Sequence, residues 1–273
     1  MGTEKRERQK AGRQARREAE QKAAKRRKGL RRSISTAIAV VVVVGLSLLV
    51  TKPWSKSTSS TTTTTKPTTS TTSVPSAQLT ANAVSKSAGC PLDPSTKLPN
   101  PQFAAPPMTI DASKAYAVSI KTDVGTITAS LNVKSSPVAV NSFVFLVNKK
   151  YYDCNTFARV IPQFVNQTGD PTGTTSGSVG YTVPGEVPAT ATPQYPLGSL
   201  AMAKTSAAPS GTTSNQFFIV AGTQGESLPP QYALFGQVTS GQDVVQKVNA
   251  AGSQSGIPPA VIHRMLSVTV TSS

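Results

Sequence analysis

From Ala112 onward, hydrophobic and polar side chains alternate in short runs, which predicts strands. Tyr116, Val118 and Ile120 share one face of a first strand, and Ile127, Ala129 and Leu131 share one face of a second. Asp123-Val124-Gly125 between them predicts a hairpin. The period then changes. Pro137 can open a helix, where its missing N–H costs nothing. After it, Val140, Phe143, Val144 and Val147 form an apolar stripe at helical spacing. Gly241 to Asn249 repeats that pattern with Val244, Val245 and Val248, and Met265 to Val270 alternates as a last strand. Many short strands and few helices over about 160 residues predict a mainly β domain: a barrel, closed so that no edge is left.

Upstream the pattern is of another kind. Ser33 to Val50 (SISTAIAVVVVVGLSLLV) carries no charge. As a helix it would be about 27 Å long, enough to cross a bilayer core. Residues 33–51 are therefore expected to form one transmembrane helix, with the lipid bilayer as partner. Residues 1–32 hold 14 Lys/Arg against 4 Glu, so +10 of the +16 formal charge sits in this tail. Basic residues massed on one side predict a cytoplasmic N-terminus and an extracytoplasmic C-terminal domain. The rival is a cleavable signal peptide, but the basic region is long for one and no A-x-A-like site follows Val50. The tail has no interleaved aromatic residue to stack on bases, so no nucleic-acid partner is expected. Residues 52–89, nearly all Ser and Thr from Lys56 to Ser73, bury too little to offset their ordering entropy and predict a disordered linker. A plain spacer and an O-glycosylated one fit equally. Residues 90–111 form a proline-rich lead-in to the domain at 112–273.

The candidate chemistry lies in FARVIPQFVNQTGDPTG, Phe157 to Gly173, where Arg159 stands in an apolar run with no acid beside it. By period 2, Phe157, Arg159 and Ile161 fall on one face, and after the Pro162 break Val165 and Gln167 share a face. This describes an apolar concave site with one fixed cation. The alternative is an edge strand whose arginine is solvated. AMAKTSAAPSGTTSNQFFIV (Ala201 to Val220) and LPPQYALFGQV (Leu228 to Val238) follow, and PVAVNSFVFLVNKKYYD precedes. In order and spacing these blocks resemble the cyclophilin family of peptidyl-prolyl isomerases. Its signature reads F-H-R-V-I-P-x-F-M-x-Q-G-G-D, then S-M-A-N-A-x-x-x-x-x-G-S-Q-F-F-I, then a segment ending F-G-x-V.

The resemblance implies an eight-stranded antiparallel barrel capped by two helices, with the site on its outer face and no cofactor. It implies a membrane-anchored isomerase acting on X-Pro bonds of exported or cell-envelope proteins. Arg159 would stabilise the twisted amide and Gln167 would hold the guanidinium or the substrate carbonyl. Phe164, Val165, Phe218 and Leu228 would line the proline pocket with Tyr232 beside them, and Ala203, Lys204 and Gln216 would flank the peptide groove. The chain departs from the signature at Ala158 (usually His), Thr168 (Gly), Lys204 (Asn), Ser227 (often Trp) and Tyr232 (often His). Ser227 implies weak binding of cyclosporin-type macrocycles. The alternative is a barrel that kept proline binding as a scaffold and lost catalysis.

Other candidates carry less. His263 is the single histidine and has no paired Ser or Cys nucleophile motif, which argues for a structural or exposed role and against a Ser-His-Asp hydrolase. GTTSGSVG, Gly173 to Gly180, lacks the Lys-Ser/Thr of a phosphate-binding loop and reads as a surface loop. Asn166-Gln167-Thr168 is formally a glycosylation sequon, read as coincidence. Two cysteines, Cys90 and Cys154, are too few for a zinc ribbon. Outside the membrane an even pair favours a disulfide, the alternative being two buried thiols.

Overall fold

The computed structural model describes residues 74–189 and 194–273. The basic tail, the expected membrane span and the Ser/Thr run up to residue 73 lie outside the described residues. Among the described residues, no helix is long and apolar enough to cross a membrane.

The predicted hairpin forms from β1 (Tyr116–Thr122) and β2 (Gly125–Leu131). Helix α2 (Pro137–Asn148) starts at the proline and is followed by β3 (Arg159–Ile161) and β4 (Val165–Thr168). Next come β5 (Val183–Pro184), β6 (Ser199–Met202), β7 (Thr212–Thr213), β8 (Phe217–Val220), the single-turn helix α3 (Thr223–Glu226) and β9 (Leu234–Ser240). Helix α4 (Gln242–Ala250) and β10 (Met265–Ser272) complete the chain, and α1 (Ser76–Ser87) precedes all of them. Eight strands make one antiparallel sheet in the order β10-β1-β2-β9-β6-β8-β4-β3, while β5 and β7 form a separate ribbon.

The closed barrel expected from the sequence is corrected. The sheet curls into a half-barrel whose edges, β3 and β10, meet only through an isolated bridge between Thr156 and Arg264. The reason is register. In the antiparallel register of that bridge β10 would face residues 148–155, and these are the end of α2 and the turn after it, with no strand to pair.

The concave face is filled by the alternating residues the sequence marks: Val118, Ile120, Ile127 and Ala129 are fully buried. Helix α2 packs on them. Phe143 lies 5.2 Å from the Tyr152 ring and 4.9 Å from that of Phe235. The helix buries more than one stripe because the lead-in covers its other side. Phe103 packs edge-on against Phe145 at 5.5 Å, and the Asn141 side chain accepts from Thr109 N and donates to Pro107 O. On α4, Val244, Val245 and Val248 turn inward as expected.

The expected disorder of residues 52–89 is also corrected at its end, since residues 76–87 are helical. Helix α1 buries Gln78, Ala81 and Ser85, and the Gln78 amide exchanges two hydrogen bonds with the backbone of Ile262. That docking face is small and polar, so it carries no hydrophobic signal. Beyond the helix Cys90 is joined to Cys154, with Cα atoms 5.4 Å apart across 64 residues of chain. Arg264 ties the same region together. Its fully buried guanidinium donates to Cys154 O at 2.7 Å and to Asp93 O at 2.8 Å.

Candidate active site

Register places the candidate residues in one row. Arg159 on β3 pairs with Gln167 on β4, Gln167 with Phe218 on β8, Phe218 with Ala201 on β6, and Ala201 with Leu234 on β9. Opposed residues share a face, and this row lies on the convex side. The alternate row, Val160, Asn166, Ile219 and Leu200, points into the core. Asn166 is fully buried, donates to Val245 O and accepts from Asn249, so its sequon is closed to a glycan.

Nine of the ten predicted site residues converge on a cleft of about 240 Å³: Arg159, Phe164, Val165, Gln167, Ala203, Lys204, Phe218, Leu228 and Tyr232. Val165 and Phe218 belong to a small apolar cluster beneath it, and the Phe218 and Tyr232 rings meet edge-on at 5.3 Å. Gln216 instead lines an adjoining cavity of about 550 Å³, which shares Gln167, Ala203 and Lys204 with the cleft.

The Arg159 guanidinium is half-buried, 5.8 Å from the Phe164 ring centroid, and donates to Gln167 Oε1 at 3.3 Å. Gln167 Nε2 donates to Gln216 Oε1 at 3.0 Å, and Gln216 Nε2 reaches Thr175 O and Gly177 O. Desolvation by burial draws the Arg159 pKa below the usual guanidinium value, and the Tyr232 hydroxyl partly opposes this. An arginine still carries its proton at neutral pH. Neither ion pair of the described residues includes Arg159, so no carboxylate neutralises it there.

Several details lay beyond the sequence. Phe157 does not share a face with Arg159; it sits in the core with Val160, because the strand begins only at Arg159. The glycine-rich loop is more than surface, since Thr175 to Ser178 wall the larger cavity. It is organised by buried Asp170, which accepts from Thr172 N, Thr172 Oγ1 and Gly177 N. A Cβ at Gly177 would run into the Asp170 carboxylate, so a side chain there would have to push it out of these bonds. Tyr195, in a proline-rich stretch with no pattern to flag it, is fully buried under the cleft. Its hydroxyl donates to Tyr232 O and accepts from Tyr232 N, fixing that residue. Ser227 turns its hydroxyl back to Thr223 O and does not line the cleft. His263 is structural: Nδ1 is 3.0 Å from Asp123 Oδ2, and that carboxylate also accepts from Arg264 N.

A row of this kind on a curled antiparallel sheet, an arginine and a glutamine beside an aromatic-floored cleft, defines a class. Residues 117–270 match the model of the cyclophilin type peptidyl-prolyl cis-trans isomerase/CLD family, and the chain belongs to that family. It is 35% identical over 157 residues to a probable peptidyl-prolyl cis-trans isomerase B of Mycobacterium tuberculosis, covering 51% of this chain and 48% of that one. The chain thus spans about half the length of that curated relative. It is 37% identical over 147 residues to the peptidyl-prolyl cis-trans isomerase cypE of Dictyostelium discoideum, covering 52% of this chain and 89% of that one. A crystal structure of a Cryptosporidium parvum cyclophilin type isomerase in the presence of the dipeptide Ala-Pro superposes with a TM-score of 0.52 at 27% identity. It covers 57% of this chain and 99% of its own.

Proposed function

We propose that this protein is a peptidyl-prolyl cis-trans isomerase that accelerates rotation about X-Pro bonds, with Arg159 as the catalytic donor. The barrier to that rotation, ~18–20 kcal/mol, comes from amide resonance. As the bond twists, conjugation is lost and the prolyl nitrogen regains its lone pair. A donor aimed at that nitrogen binds the twisted state better than either planar one, which lowers the barrier without a nucleophile or proton transfer. Phe164, Val165, Phe218, Leu228 and Tyr232 offer the apolar surface for the proline ring. Gln167, held by Gln216, keeps the guanidinium in place, and the groove past Ala203 and Lys204 takes the flanking backbone. The observation that carries this reading is a half-buried guanidinium with no carboxylate partner among the described residues, beside an aromatic-floored cleft. A dipeptide containing proline accompanies the Cryptosporidium relative.

The test is cis–trans exchange of a short X-Pro peptide with the full-length chain. Acceleration well above the uncatalysed rate supports the enzyme. Binding of the peptide without acceleration would leave the scaffold reading instead.

Two finer points belong to the same proposal. Residues 33–51 anchor the protein in the cell membrane with residues 1–32 inside, so that its clients are exported or envelope proteins exposing proline segments. A protease added outside intact cells should remove the isomerase domain and spare the tail; a protected domain refutes this orientation. Ser227, turned away from the cleft, leaves a large macrocycle without an aromatic contact surface of ~150–250 Å². Cyclosporin-type macrocycles should therefore bind ~10- to 100-fold more weakly than to relatives with Trp at that position, and Ser227→Trp should recover part of the difference. Binding to the natural chain as tight as to those relatives overturns this point.

A further inference from the structure

The cleft and the larger cavity meet at Gln167, Ala203 and Lys204. Among the described residues Lys204 is the only charged side chain lining the larger cavity, and with Arg159 it gives the cleft two cations and no acid. Lys204 belongs to neither ion pair of the described residues. Its Nζ donates to Ala208 O at 3.1 Å and to Thr205 O at 3.3 Å, and lies 5.6 Å from the Tyr232 ring centroid. These contacts hold the ammonium at the junction without neutralising it. Two carbonyls occupy two of its three donors, leaving one for a ligand. Acids around the site are engaged elsewhere. Asp170 accepts from Thr172, Thr174 and Gly177. Glu186 accepts from Val138 N and Ala139 N at the start of α2, and Glu226 accepts from Leu197 N.

We propose that Lys204 makes this site select acidic proline peptides, those with a carboxylate on the residue that reaches from the proline cleft into the larger cavity. The inference rests on the isomerase reading and deepens it. A fixed ammonium in a concave, partly desolvated position is screened less than one on open surface, so its charge is felt by whatever side chain enters beside it. A carboxylate there meets the free donor and feels Arg159 from the same side. A lysine in the same place meets two cations and no counter-charge.

The test compares kcat/KM of the full-length chain on X-Pro peptides bearing Glu, Gln or Lys at each position flanking the proline. At one flanking position Glu should exceed Lys by about five-fold at low salt, and the ratio should shrink toward one at roughly 0.5 M salt, where the screening length falls to a few ångströms. Lys204→Gln should flatten the ratio and Lys204→Glu should invert it. Equal rates for Glu and Lys peptides overturn the inference, as does a preference that persists in Lys204→Gln. The latter result would leave Lys204 as a staple of the 205–208 turn only. If no peptide is turned over, the isomerase reading fails instead. Lys204 is then judged by equilibrium binding of the same Glu and Lys peptides, where equal affinities overturn it.

Discussion

Arg159→Ala should lower kcat/KM on a short X-Pro peptide by at least ~100-fold, roughly 2.7 kcal/mol of transition-state stabilisation, with the fold retained. The fold should survive because Arg159 contributes backbone pairing to β3, which alanine keeps, while its side chain makes one hydrogen bond, to Gln167, and one ring contact, with Phe164. What disappears is the only donor in the cleft that is both charged and rigidly forked. Arg159→Lys is the informative companion. It keeps the charge but offers a compact ammonium on a flexible stem in place of a planar fork, so it should recover only part of the loss. Exchange rates from NMR, with circular dichroism and a melting curve on the same samples, check both variants. An Arg159→Ala protein that exchanges the peptide at near wild-type rates would sink the proposed mechanism.

Replacing Cys90 and Cys154 by serine should lower stability by about 4 kcal/mol on the chain-entropy account of a 64-residue closure. For a folded unit of this size that corresponds to a melting temperature roughly 10 °C lower. The loss should begin in the lead-in. Its ties to the domain beyond the disulfide are mostly single bonds spread along it: Arg264 to Asp93 O, Leu98 N to Pro171 O, Tyr151 to Asn100, Gln102 to Ser178 O, Phe103 N to Val179 O, and Asn141 to Pro107 and Thr109, with the Phe103 ring against Phe145. Amide exchange over residues 90–110 should therefore rise first, ahead of the β1–β2 hairpin. Non-reducing peptide mapping of the wild-type chain should recover the linked pair, and two alkylatable thiols in the folded protein would refute it.

How much of this was legible in the sequence follows from what kind of signal each feature leaves. Strong periodic segments were readable because burial of one face imposes the pattern: Val118 and Ile120, the α2 stripe, and Val244, Val245 and Val248 all turn inward. The site was readable because its residues sit in short runs whose order along the chain is preserved. The register that aligns Arg159, Gln167 and Phe218 is a non-local fact, and adjacency in a motif does not state it. The docked helix α1 was invisible because a glutamine, an alanine and a serine make its buried face. Closure was overestimated because the register of the two edges sets β10 opposite the end of α2 and the turn after it, and a count of strands does not state register. Tyr195 left no trace because its role, bracing the backbone of Tyr232, depends on a loop that returns from far along the chain.

The alternation along β4 has a consequence of its own. Asn166 and Gln167 are neighbours that face opposite ways, one into the core and one toward the cleft. A strand that slipped by a single residue would exchange them, since the side-chain period is two. Such a slip would leave the core with a glutamine too long for the gap and the cleft with an asparagine too short to reach Arg159. Asn166, bonded to Val245 O and to Asn249 on α4, recognises only one alignment of that strand. The side chain that looks like an address for a glycan thus acts as a pin, and the reach of Gln167 across the convex face is set by a bond made on the concave one.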